Sequence, residues 1–399
     1  MANTRTVDIT ISAFVTSTDL IDWPVLLTRS CFPDEIVDPS SGNASKTDGG
    51  DLRFFVDGDA VPCDIVYWEH DSATGAGDAN IEVHVLCDVT AAAGVTITVE
   101  YGDGTLAQPA RNDALGSESV WPNLFSCWHL GGGEGNLRDA TGRNDLSEFG
   151  TGAGFSTAYG MLDEGAGGGW RATGTNPGGP TLYRTGAGAG DLPEGNFTVS
   201  ALANPDLFST VNCMVSFGRA GDSTQVARLL FNTSVPADTT MGWRTLSTNY
   251  NASGSETVGA GNARAVHGLV DTTANRIEVY ENGVSLNTDS TAIVNANLEM
   301  DQVVIGGHGI GSIDVSTESN FQFDGNLDEV RLWDRVFSDA EVAADEEILV
   351  NITSYATPGA PADISTSPTP GPVTPNLDGS TGLSVGMSRP MSRPLSGAL

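Results

Sequence analysis

Apolar and polar residues alternate through much of the first hundred positions. Val7, Ile9 and Ile11 are separated by Asp8 and Thr10, the period of two of a strand with one face in a core and the other in water. The same period returns in Ile81-Glu82-Val83-His84-Val85 and in Val95-Thr96-Ile97-Thr98-Val99-Glu100-Tyr101, with Ala91 to Gly94 between them. Antiparallel strands with one wet face are expected there. Asp57-Gly58 follows the strand start Leu52-Arg53-Phe54-Phe55 and marks a tight turn. Further along, Asn282-Gly283 separates two strand-like runs and offers the positive φ angles of a two-residue type I′ hairpin. Ser338 with Glu341 three residues later is a capping box, which predicts a helix over Asp339 to Leu349 with Val342, Ile348 and Leu349 on its apolar side.

Length and composition fit this pattern. A chain of 399 residues exceeds one ordinary core, and 49 glycines with only 17% charged residues suit short strands joined by many turns. The expected fold is all-β: two antiparallel, jelly-roll-like β-sandwich domains, one short C-terminal helix and an extended Pro-rich tail. Residues 1–110 form the first sandwich, 111–122 a linker, 123–356 the second sandwich and 357–399 a Pro/Ser/Gly-rich tail. The tail ends in a repeated Met-Ser-Arg-Pro unit, the only locally basic, acid-free stretch.

The formal charge is −33 and Lys46 is the only lysine, so no basic cluster exists to hold a nucleic-acid backbone. Such acidity suits solubility or the loading of a cation such as Ca²⁺. No apolar run approaches a membrane span, and residues 1–6 pass into a strand without the pattern of a secretory signal. Cys31, Cys63, Cys87, Cys127 and Cys213 are odd in number and contain no C-x-x-C pair, so they are expected as buried free thiols.

Several stretches resemble known families. Asp22-Trp23-Pro24-Val25-Leu26-Leu27, Asp48 to Phe55, Ile65-Val66-Tyr67-Trp68-Glu69 and Val95 to Asp103 resemble a bacterial domain-of-unknown-function family that commonly precedes a laminin-G-like module. His84 departs from it, standing where that family places a tryptophan. Ser126-Cys127-Trp128-His129-Leu130 with Arg138 to Asn144, then Phe197 to Ala201, His267 to Gly283 and Phe323 to Val342, resemble the laminin-G/concanavalin-A-like lectin and glucanase family. That resemblance implies a sandwich closed by a helix, with Ca²⁺ often held at its rim. The metal candidates by residue type and loop position are Asp139, Asn144, Asp163 and Asp324. Aromatic residues suited to stacking on sugars are Trp170, Tyr183, Trp243 and Tyr250.

The glucanase branch of the resemblance requires two carboxyl groups facing one cleft. Asp328 and Glu329 are adjacent, which puts them on opposite faces of a regular strand. Asp324 and Asp328 share a face but would lie about 13 Å apart at 3.3 Å per residue. No E-x-D-x-E array, G-x-S-x-G elbow or phosphate-cradling loop with a lysine occurs, so no catalytic residue is assigned. His129 and His267 are expected as hydrogen-bonded structural residues. The function expected is non-catalytic binding or adhesion on a displayed surface: a decoration, fibre or tail component of a phage-like virion, or a bacterial carbohydrate-binding adhesin. Its partners would be a surface glycan or a neighbouring protein, other virion proteins or a second copy of the chain. Its place would be a virion or assembled surface structure, or outside the cell by non-classical export.

Overall fold

The computed structural model describes residues 5–364, apart from 15–17, 73–76, 78, 132–136, 150–152, 173–180, 187–190, 207–211, 220–221, 233–237, 246–247, 256–260, 292–299 and 308–321. Residues 1–364 make one compact unit. The remainder of the Pro-rich tail, with its Met-Ser-Arg-Pro repeat, lies outside the described residues. The unit is all-β, with strands in antiparallel sheets and, among the described residues, two α-helices.

The first sandwich contains β1 (Arg5–Ile11), β2 (Leu20–Leu27), α1 (Asp34–Val37), β3 (Arg53–Val56), β4 (Asp59–Val61), β5 (Cys63–Trp68), β6 (Ile81–Val89) and β7 (Val95–Tyr101). Strands β1, β7, β3 and β4 lie side by side in one sheet, and β2, β6 and β5 make the facing one. Val7, Ile9 and Ile11 are buried while Asp8 and Thr10 are exposed, as the period of two requires. Asp57 and Gly58 both have positive φ, 53° and 88°, and close the β3–β4 hairpin.

The second sandwich is built from β8 (Leu124–Trp128), β9 (Ser147–Phe149), β10 (Ala153–Ser156), β11 (Gly169–Ala172), β12 (Thr181–Thr185), β13 (Phe197–Pro205), β14 (Asn212–Arg219) and β15 (Asp222–Asn232). It continues with β16 (Asp238–Thr245), β17 (Thr248–Ser255), β18 (Arg264–Asp271), β19 (Arg276–Glu281), β20 (Val284–Asp289), β21 (Gln302–Ile305) and β22 (Gly325–Trp333). One sheet runs β10-β11-β22-β13-β18-β19-β20 with β8 paired to β22; the other runs β17-β16-β15-β14-β21-β12-β9. Between them lies a core that includes Trp128, Phe197, Phe217, Phe231, Met241, Val279 and Leu332. Asn282 and Gly283, at φ 48° and 72°, form the β19–β20 hairpin expected of them.

Helix α2 (Asp339–Val350) begins with the capping box: the Ser338 hydroxyl accepts from Glu341 N, and Glu341 accepts from Ser338 N. Val342, Ile348 and Leu349 are buried. The chain then returns to the first sandwich, where β23 (Ala356–Pro358) and β24 (Ala362–Asp363) pair with β1. The start of the segment assigned to the tail is thus an edge strand, where proline is tolerated because its missing N–H faces away from the ladder. Within 111–122, read as a linker, Val120 and Trp121 are fully buried. All five cysteines are buried free thiols. No helix among the described residues is long and apolar enough to cross a membrane.

Candidate functional site

A sandwich has two outward faces on which a ligand can sit. In the second sandwich the sheet containing β22 has lost one of them. Its outward register row, Cys127, Arg331, Ser200, His267 and Tyr280, is buried throughout. The first sandwich and α2 cover it, and Leu202, Leu269, Tyr280, Trp333 and Ile348 share one core cluster with Val83, Val85 and Val99. Asn80 and Gly167 exchange two hydrogen bonds across the boundary, Nδ2 to O at 2.7 Å and N to Oδ1 at 2.8 Å. Strand β6, expected to have a wet face, therefore has none over Ile81–Val85: Glu82 and His84 are 0% exposed because a second module packs on them.

An ionic layer fills this sealed boundary. Glu82 and His84 enter from β6, Asp64 from β5, His129 from the residue after β8, and Asp328, Glu329 and Arg331 from β22. His129 Nδ1 contacts Glu329 Oε1 and lies 3.2 Å from Glu82 Oε1, while its Nε2 is 3.4 Å from Asp64 Oδ2. Trp121 Nε1 donates to the same Asp64 oxygen at 3.0 Å. The imidazoles of His84 and His129 stack at 5.1 Å. Arg331 grips Glu329 Oε2 with Nε and Nη2, at 2.8 and 2.6 Å, and reaches Asp345 of α2 at 3.3 Å. Asp345 also bonds His267 Nε2 at 3.0 Å, the structural role expected of that histidine.

The charges set the protonation states. Burial opposes ionisation of His129, but facing Glu329 raises its pKa well above the ordinary histidine value. Burial likewise opposes ionisation of Glu329, yet the charges of His129 and Arg331 hold it below the carboxylate range. Asp328 is pushed well up by burial and by the neighbouring Glu329 and Glu82. Asp328 and Glu329 thus sense each other and Glu82 in one layer, contrary to the opposite-face expectation. The reason is a β-bulge: the β13–β22 register slips between Ser200 and Leu202, and Glu329 takes φ +45°. Both carboxyl groups are 0% exposed, so they line no cleft.

The candidates named from sequence are scattered. Trp170 is 0% exposed in the sandwich core, so its ring has no face for a sugar; this corrects the sequence reading. Asp139 is buried, and its two oxygens accept from Cys127 N, Thr141 N, Thr141 Oγ1 and Asn144 N, which saturates them within a turn. Asn144 belongs to that turn and donates to Ser126 Oγ. Asp163 accepts from Thr353 N and Oγ1, and the backbone N–H of Asp324 donates to Asn212 Oδ1. Among the described residues, the one convergent group of acidic, imidazole and thiol ligands does not include Asp139, Asp163 or Asp324. Trp243 and Tyr250 are register partners on β16 and β17.

Tyr183 is half-buried and belongs to the sheet that remains open. One register row crosses that whole sheet: Ser147, Tyr183, Val304, Ser216, Arg228, Gly242 and Asn251. Val304 and Ser216 are buried, whereas Arg228 is partly exposed and Asn251 exposed. Gly242 sits between these last two. Gly242 is itself buried, and a Cβ there would lie 2.9 Å from Asn251 Oδ1 and 3.6 Å from Arg228 Nε, so the absence of a side chain lets the amide and the guanidinium close over the strand. Thr240 Oγ1 and Ser253 Oγ, 2.6 Å apart, extend the polar surface by one pair. Sequence reasoning missed this group because it is assembled by register.

Residues 179–343 match the family described as the concanavalin A-like lectin/glucanases superfamily. The match lies within the second sandwich and runs from just before β12 into the first turn of α2. Solved structures similar to the chain include a Ruminococcus gnavus IT-sialidase carbohydrate-binding module bound to α2,3-sialyllactose, at 16% identity over 38% of this chain and 83% of that one, with a TM-score of 0.32. Domain 4 of an extracellular arabinanase from Geobacillus stearothermophilus, in complex with arabinotriose, is similar at 14% identity over 56% and 97%, TM-score 0.39. The binding domain of a botulinum neurotoxin in complex with rat synaptotagmin II is similar at 8% over 56% and 51%, TM-score 0.42. No curated protein matches in sequence. Within the second sandwich, the face that the first sandwich covers is closed to ligand, and the polar row on the β14–β17 side is open at Arg228 and Asn251.

Proposed function

We propose that the chain is a non-catalytic glycan-binding surface protein whose ligand lies on the open sheet of the concanavalin A-like module, across Arg228, Gly242 and Asn251. The observation that carries this reading is the pairing of an arginine and an asparagine on the outward face, brought together over the buried Gly242. Guanidinium N–H groups donate only, whereas an amide both donates and accepts, a combination suited to sugar hydroxyls. Tyr183 lies in the same row three strands from Arg228, roughly 14 Å at the usual strand spacing. A ligand touching both is an oligosaccharide rather than a single sugar.

A glycan array read with and without Ca²⁺ tests the reading, alongside reducing-sugar release from the same polysaccharides. Binding without release supports it; release of sugar from a bound polysaccharide replaces it with a hydrolase. The display of this module on a virion, as a decoration, fibre or tail component, is the finer reading we attach to it. Co-sedimentation of the protein with particles, and its retention on them when the free glycan is added, tests that placement.

A further inference from the structure

Four ligand-capable atoms converge where the two sandwiches meet. Glu82 Oε1 is 3.2 Å from His84 Nε2 and 3.2 Å from His129 Nδ1, and Glu329 Oε1 is in contact with His129 Nδ1. One atom from each of the four residues lies within 4.8 Å of the others. We propose that Glu82, His84, His129 and Glu329 hold one divalent ion of the Zn²⁺ class, as a closed structural centre that ties the first sandwich to the second.

The geometry fits the size of such an ion. Zn²⁺ bonds to imidazole nitrogen and carboxylate oxygen at about 2.0–2.2 Å, so neighbouring ligand atoms of a tetrahedral site stand about 3.3–3.5 Å apart. Two of the six separations, both 3.2 Å, are close to that edge, whereas the Glu329–His129 contact is shorter and would open when an ion enters. Two imidazoles among the four ligands favour a transition ion over Ca²⁺ or Mg²⁺, which take oxygen. His84, Glu82 and Glu329 are 0% exposed and His129 8%, so the centre has no open position for a substrate.

The surroundings are those of a ligand set. A metal-binding histidine characteristically gives its second nitrogen to a carboxylate, which fixes its tautomer. His129 presents Nδ1 to the cluster and Nε2 to Asp64, itself held by Trp121. Arg331 occupies Glu329 Oε2 twice over and leaves Oε1 pointing at His129.

Glu82 Oε2 and His84 Nδ1, the atoms of these two residues outside the convergence, are buried with no hydrogen-bond partner among the described residues, and they stand outside the ligand set. The carboxyl groups of Asp64, Glu82 and Glu329 share the layer with the His129 imidazole and one guanidinium, Arg331, which Asp345 also claims. A divalent ion held by neutral imidazoles brings one positive charge more than the single proton it would displace from His129.

The proposal is tested on the full chain, purified without chelator and without a metal-affinity step. Elemental analysis should find about one equivalent of a divalent transition metal. Protein unfolded in guanidinium with chelator and refolded without metal should melt lower, and Zn²⁺ should restore the melting temperature. The double variant Glu82→Gln/His84→Gln, checked for fold by circular dichroism, should carry no metal and show no response to Zn²⁺. Should that variant fail to fold, Asp64→Asn, which leaves all four ligands in place, should weaken metal affinity by about 10- to 100-fold. Wild-type protein that is metal-free and melts identically with and without Zn²⁺, Co²⁺ or Mn²⁺ overturns the assignment. So does a full metal equivalent in the folded double variant, or unchanged affinity in Asp64→Asn.

Discussion

Trp23 and Trp333 stack across the boundary between the sandwiches, with ring centroids 4.9 Å apart and planes inclined by 28°. Phe337 packs on both rings, at 5.1 and 4.8 Å, and the Arg335 guanidinium lies 5.2 Å from the Trp23 ring. Both tryptophans are 0% exposed. Trp333→Ala should cost about 3–5 kcal/mol, the usual range for truncating a buried aromatic. Because the contact is shared, the loss should lower one common transition in calorimetry. Two resolved transitions in the wild type, with only one displaced by the substitution, would show that the sandwiches unfold separately.

Glu346 on α2 gives the stability a pH dependence. Burial first, and the charges of Glu347 and Asp345 after it, raise its pKa to about 7. The folded state therefore binds this proton more tightly than the unfolded chain, whose glutamate titrates near 4.3. Its contribution favours folding most at pH below about 4 and is lost as pH rises through 7. Glu346→Gln should leave stability unchanged at pH 4 and raise it at pH 8 by about 1–2 kcal/mol, less than full linkage because the group keeps part of its hydration. Denaturant midpoints at the two pH values measure the difference; equal gains at both would contradict it.

What could be read from the sequence was what neighbours along the chain decide. The period of two in β1, the positive-φ pairs Asp57-Gly58 and Asn282-Gly283, and the Ser338–Glu341 box each depend on residues a few positions apart. What packs on the far face of a strand is a tertiary fact, and so Glu82 and His84 read as a wet face. A signal was present: an acid and an imidazole at alternating positions of a Val/Ile strand share one face, and His84 departed from the family pattern. The bulge at Glu329 defeated the parity argument, because parity along a strand holds only while the register does. The Arg228–Gly242–Asn251 group was invisible because its members come from three strands.

The segment after α2 offers a further check. Ile9, Thr10 and Ile11 pair with Pro358, Thr357 and Ala356, and Arg5 bonds Asp363 at 2.8 Å. Gly359 N also donates to Asp8 O at 2.7 Å. A chain ending at Tyr355 should melt several degrees below one ending at Ile364, since it leaves the β1 edge unpaired. Identical melting of the two truncations would mean that β23 and β24 contribute nothing to the sheet.

The central claim is that the module binds glycan on its open sheet, since the other face is sealed. Gly242→Leu adds an outward side chain that must push Asn251 and Arg228 apart, since even a Cβ there would lie 2.9 Å from Asn251 Oδ1. The decisive measurement is a glycan array on the wild type and this variant, with circular dichroism confirming that both are folded. The account predicts that the wild type binds a defined set of oligosaccharides and that Gly242→Leu loses at least ten-fold in affinity for them. A silent wild type, or a folded variant that binds as well as the wild type, would contradict it.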